Sequence, residues 1–372
     1  MLRKFQQQTF IQASFWISAA TVGTIAIIYA QIINAVLKTY FSFFDTHPYV
    51  MTAATPILFV LATYLVVRFA PQAKGSGIPQ VLEAISHTKH KDFNAGNNSL
   101  VSIRTALIKV FSSLIGFIAG ASIGREGPTV QISASIFSWV GHKMKKFSVH
   151  IDPQSYLIAG GAAGVAAAFN TPLAGVTFAL EEIADGVFSQ FKQPVMFSII
   201  IAGITAQAFV GDYLYFGHPT TIKPTLIVIP EALLIGVVCG LLGGLFARIL
   251  AQKDFKFKFK HWAITAFVCG IICSLIALFS NGLSSGSGYE VVKQFMDNDQ
   301  GQIPILFALE KFLSTIFSYF SGMAGGIFSP TLSIGAGIGY TVGSILTFIN
   351  LKTCALIGMV AFFSAVVQAP LT

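Results

Sequence analysis

Long apolar stretches separated by short polar or charged breaks dominate this chain. They fall near 14–38, 52–70, 101–121, 123–142, 155–184, 195–210, 229–251, 262–280, 303–321, 329–349 and 353–370. A helix of about twenty apolar residues spans a bilayer, so the pattern predicts a set of membrane helices. Several runs are interrupted by Gly and Pro, as between Gly124 and Pro128, Gly160 and Pro172, and Gly322 and Pro330. Broken helices at membrane depth leave backbone N–H and C=O groups that lipid cannot satisfy. Such breaks must line a cavity that is wet or buried in protein.

Composition sharpens this picture. Of 372 residues, 54% are hydrophobic and 10% are charged, against about 25% charged in soluble proteins. A disordered chain, a disulfide scaffold and an ordinary cytosolic enzyme are excluded. About ten to fifteen spanning or half-spanning helices fit the length. The net charge of +8 comes without a basic stripe, so no nucleic-acid partner is expected. The alternating stretch Lys253 to Lys260 reads as a loop on the lipid headgroups, and Arg3 and Lys4 point the same way. Phe15 to Ile33 lacks a cleavage site and reads as a retained first span. Cys239, Cys269, Cys273 and Cys354 lie in apolar runs and read as packing residues. With no HExxH and no clustered ligands, no metal or other cofactor is expected.

An internal repeat organises the chain. Gly75-Ser-Gly-Ile-Pro79 is echoed by Gly286-Ser-Gly-Tyr-Glu290, Gly124-Arg-Glu-Gly-Pro128 by Gly326-Ile-Phe-Ser-Pro330, and Asn170-Thr-Pro-Leu-Ala174 by Gln368-Ala-Pro-Leu-Thr372. The pairs keep their order, at offsets of 211, 202 and 198. They predict a duplicated fold: a first membrane repeat over 1–210, a linker over 211–228 and a second repeat over 229–372. Thr372 stands opposite Ala174, so the second copy stops inside a helix. Interrupted segments at matching places in two halves point to a substrate site between them.

Three of these stretches carry the chemistry. A proline in the first helical turn costs no hydrogen bond, so helices are expected to begin near Ile78, Glu126 and Pro330. Glycines beside them let an ion approach the backbone. Free first-turn N–H groups and the helix dipole make an anion site, to which Ser76 adds a hydroxyl. Partial charges alone hold an anion loosely enough for passage. Glu126 sits where such an anion would sit, so acid and anion would compete, and protonation would release the acid. Local features leave alternatives open: Glu126 as an acid stabilising its own helix, Arg125 as a salt-bridge partner. Phe328 stands where the second copy lacks the Glu, leaving the Ile327 and Phe328 N–H groups without a competitor. Glu310 is expected to be satisfied by the adjacent Lys311 and a nearby membrane interface.

These residues resemble the CLC chloride channels and proton-coupled chloride antiporters. The three signature stretches of that family read here as Gly75 to Pro79, Gly124 to Pro128 and Gly326 to Pro330, and Ala166 to Gly175 followed by Glu181-Glu182 is similar too. The likeness covers about residues 15 to 372. It implies an all-α, polytopic membrane protein with inverted repeats and broken, tilted helices, usually a homodimer with one pore per subunit. It implies that Ser76, Ile327 and Phe328 hold a central chloride. Gly124, Arg125, Glu126 and Gly127 would form the outer site, with Glu126 as gate and proton acceptor. Glu182 would be the inner proton-transfer residue, though as a helix-end acid beside Glu181 and Asp185 it also reads as solvated. Keeping both acids favours chloride/proton antiport over a passive chloride channel. Serine rather than proline at 76 favours chloride over nitrate. The family's further tyrosine ligand, from a later helix, has no counterpart in the sequence, which raises the reading of an auxiliary or inactive membrane protein. An intramembrane enzyme using Glu126 with Glu181 and Glu182 lacks a nucleophile or metal motif. In a bacterium the expected location is the inner membrane.

Overall fold

The computed structural model describes residues 2–88, 98–145, 152–183, 193–211, 216, 226, 228–252, 261–298, 301–346 and 350–368, leaving aside the side chains of 2–7, 145, 182 and 183. The Lys253–Lys260 stretch and most of the 211–228 linker lie outside the described residues. Fourteen α-helices form among them, with no named strand. The first eight are α1 (Leu2–Thr46), α2 (Pro48–Phe69), α3 (Ile78–His87), α4 (Ile103–Ile118), α5 (Glu126–Lys145), α6 (Pro153–Phe169), α7 (Pro172–Phe178) and α8 (Gln193–Val210). Then come α9 (Val228–Ala251), α10 (Trp262–Phe279), α11 (Tyr289–Asp297), α12 (Phe307–Phe320), α13 (Phe328–Leu346) and α14 (Leu351–Val367). The α1, α2, α8, α9 and α10 helices are long and apolar enough to cross a membrane. Large apolar side chains such as Leu233, Val237 and Leu241 on α9 are exposed, as a lipid-facing helix requires.

Duplication is visible in the backbone. Gly75 and Gly77 take φ of 62° and 100° just before α3, and Gly286 and Gly288 take 64° and 77° just before α11. Only glycine adopts this left-handed region without strain, so the two GSG stretches build the same entrance turn. After α4 and α12 the chain turns at Gly120 and Gly322, both with positive φ. The α6 and α14 helices end on Asn170 and Gln368, again both left-handed, with φ of 56° and 60°. Two short amphipathic helices, α3 and α11, were too brief to stand out as apolar runs. The break expected between Gly160 and Pro172 falls at Asn170 and Thr171, and the helix runs unbroken across Gly160, Gly161 and Gly164. Those glycines serve packing: a Cβ on Gly160 would stand 2.8 Å from Ala134 Cα, and one on Gly164 2.8 Å from Val130 Cα.

The second copy packs α13 on α14 in the same way. A Cβ on Gly358 would overlap the Gly335 carbonyl oxygen and one on Gly339 the Cys354 carbonyl oxygen. Between membrane helices no hydrophobic force operates, and close backbone approach supplies the dispersion contact instead. Substituting Gly358→Ala is therefore expected to destabilise the protein by about 1–3 kcal/mol, read as a lowered melting temperature in detergent.

Candidate anion site

The three glycine-proline stretches meet at the centre of the molecule. Gly124 and Gly326 exchange two backbone hydrogen bonds, each 2.7 Å. Gly75 N–H donates to the Met323 carbonyl at 2.9 Å, and Gly325 N–H donates to the Gly75 carbonyl at 3.1 Å. The starts of α3, α5 and α13 are thus stapled to one another by main chain. The prolines stand within the first turn of each helix, where the first N–H groups have no intrahelical acceptor. Gly127 lies against Ser76 so closely that a Cβ there would overlap Ser76 Oγ.

Ser76 and Glu126 are both buried at this junction. Ser76 is 7% exposed and its Oγ has no hydrogen-bond partner within the protein. A buried donor without a partner is costly, so an unpaired Ser76 hydroxyl marks a place for a ligand. Glu126 has no exposed surface. Its carboxylate reaches across to the second copy, where Oε1 accepts from Ser329 Oγ at 2.7 Å and Oε2 lies 3.4 Å from the Ser329 N–H. The acid therefore docks on the start of α13, the helix in which Phe328 replaces the glutamate.

Arg125 turns the other way. Its NH1 donates to Asn34 Oδ1 at 2.9 Å and to the Ala30 carbonyl at 3.3 Å, while Nε stands 3.9 Å from Glu126 Oε1. It borders a cavity of about 410 Å³ between α1, α5, α6 and α11, which Gln31, Asn170, Glu290 and Lys293 also line. Phe328 is buried and packs edge-on against Phe363, with ring centroids 4.8 Å apart, and Phe178 is a further edge-on neighbour. Ile327 is half-buried. The backbone of Glu182 forms part of a π turn over Ala179–Ile183, but its side chain lies outside the described set.

Two lysines, Lys109 and Lys311, serve the two entrance turns. Both are fully buried. Lys109 Nζ donates to the Gly75 carbonyl at 2.8 Å. Lys311 Nζ donates to the Ser284, Ser285 and Gly286 carbonyls at 2.9, 3.3 and 2.7 Å. Lys311 is thus spent on the second entrance turn and does not serve Glu310. The signal was present: both lysines stand fifteen residues before a motif glycine, Gly124 or Gly326.

Fold and site together define a duplicated, broken-helix membrane protein that presents helix starts and a buried acid at its centre. The family described as "Voltage gated chloride channel" matches residues 58–372, and the chain belongs to that family. It is 31% identical over 336 residues to the H(+)/Cl(-) exchange transporter ClcA of Vibrio parahaemolyticus serotype O3:K6, covering 85% of this chain and 68% of the relative. Its identity to ClcA of Vibrio campbellii is also 31%, over 330 residues, with 83% and 67% covered. Among solved structures, a CLC-type fluoride/proton antiporter superposes with a TM-score of 0.80 at 23% identity, covering 98% of this chain and 89% of the other. A slow cyanobacterial Cl-/H+ antiporter gives 0.79 at 24%, with 96% and 86% covered. These likenesses establish the inverted-repeat fold.

A methyl group at Gly127 would fill the space in front of Ser76 Oγ. The substitution Gly127→Ala is expected to weaken halide binding by about tenfold or more, the equivalent of about 1.4 kcal/mol, measured by titration calorimetry on the purified protein.

Proposed function

We propose that this protein exchanges chloride for protons across a membrane, with Glu126 as the group that both ions contest. The observation that carries the reading is a fully buried carboxylate docked on a helix start, beside a buried hydroxyl with no partner in the protein. An ionised carboxylate needs donors in a low-dielectric interior, and the start of α13 supplies them. Chloride competes for such donors. A proton taken up by Glu126 removes its charge and its claim on them, so the side chain leaves and the anion advances. One residue thereby links the two movements.

In this reading the Ser76 hydroxyl and the N–H groups of Ile327 and Phe328 hold a central chloride. Gly124, Arg125 and Gly127 frame the outer position that Glu126 fills, and Glu182 passes protons from the opposite side. Similarity to the Vibrio exchange transporters supports the choice of exchange and of chloride. The further assignments are two repeats over 1–210 and 229–372, a homodimeric assembly and, in a bacterial cell, an inner-membrane location.

Reconstitution into chloride-loaded liposomes tests the proposal. The unsubstituted protein is expected to drive protons against chloride flow. Glu126→Gln is expected to abolish proton movement while chloride flux continues, and Glu182→Gln to do the same. Chloride flux with no proton movement in the unsubstituted protein would instead define a passive channel.

A further inference from the structure

The two contacts that hold Glu126 on α13 differ in kind. The Ser329 N–H lies 3.4 Å from Oε2, a long main-chain contact that nearly any residue at 329 would provide. The Ser329 hydroxyl donates to Oε1 at 2.7 Å, a short charge-assisted bond that needs a hydroxyl in that place. Ser329 itself has no exposed surface, so water does not readily substitute for it. The 202-residue offset of the repeat places Ser329 opposite Gly127. At Gly127 a Cβ would overlap Ser76 Oγ. At Ser329 the Cβ is accommodated and carries a hydroxyl to the acid. The duplicated position therefore leaves room in one copy and supplies a donor in the other.

We propose that the Ser329 hydroxyl is a latch, a positioning residue that sets how readily Glu126 accepts a proton and how readily it gives up its place to the anion. The proposal rests on the reading of Glu126 as the gate. A hydroxyl donating to a carboxylate favours the ionised form over the neutral acid. Without it the ionised side chain is held less firmly, so protons capture it at higher pH and chloride displaces it at lower concentration.

The other titratable groups around α5 do not duplicate this contact. Arg125 lies 3.9 Å from Oε1 and is shared with Asn34 and Ala30. Tyr29 on α1 is close enough to sense the Glu126 charge, but its hydroxyl pairs with Ser113 at 2.6 Å. Lys109 on α4 is bonded to Gly75 and Tyr156 on α6 to Ser14. On α3, Glu83 and His87 pair with each other at an exposed site. Tyr340 on α13 packs edge-on against Phe295.

The test is the pH dependence of chloride/proton exchange by the protein in liposomes, compared with Ser329→Ala, Ser329→Thr and Glu126→Gln. Ser329→Ala is expected to move the pH of half-maximal exchange upward by about one unit or more. It is also expected to lower the half-saturating chloride concentration at alkaline pH about tenfold. Ser329→Thr retains the hydroxyl and should restore the original profile. Ser329→Cys, a weaker donor, should give an intermediate shift and serves if the alanine variant does not fold. An unchanged midpoint in Ser329→Ala, or in Ser329→Cys where that variant stands in, overturns the latch; so does a threonine variant displaced as far as the alanine one. Persistence of normal proton coupling in Glu126→Gln would instead overturn the gate reading, a result independent of position 329.

Discussion

Helix starts that cannot satisfy their own N–H groups govern this structure. At membrane depth no water is at hand, so each broken helix must find partners in the protein or in a bound ion. The chain places three such starts together and joins them through Gly75, Gly124 and Gly326. What is left over at the junction is donor capacity: the unpaired Ser76 hydroxyl and the opening turns of α3, α5 and α13. An acid from one copy then occupies donors supplied by the other. The proposed anion site and its competitor both draw on the same unmet hydrogen bonds.

Two buried lysines belong to the same economy. Entrance turns with left-handed glycines aim carbonyl oxygens inward, and these also need partners. Lys109 and Lys311 answer them from equivalent places in the two copies. A buried charge is expensive in a membrane. Here the carbonyls supply each buried Nζ with acceptors.

Much of this was legible in the residues. Proline and glycine mark where helices begin, because lost N–H groups and positive φ are local constraints written in single residue types. The starts expected near Ile78, Glu126 and Pro330 are found at Ile78, Glu126 and Phe328, and the echo of the motifs anticipated the duplication. What stayed hidden depends on contacts between distant segments. Ser329 touches an acid 203 positions away, and nothing in its own neighbourhood says so. The direction in which Lys311 points was lost for the same reason: proximity in sequence suggested Glu310, whereas its stem runs to the 284–286 turn. Between Gly160 and Pro172 the break was legible but not its place, because composition cannot tell a glycine that bends a helix from one that lets another helix touch it.

The reciprocal pair between Gly124 and Gly326 has a mechanical meaning. Because each glycine both donates to and accepts from the other, neither helix start can slide or tilt without tearing two bonds in a medium that offers no replacement. The two helix starts are thus braced against each other. In the exchange proposed above, the part left to move is the Glu126 side chain, a lever only three carbons long.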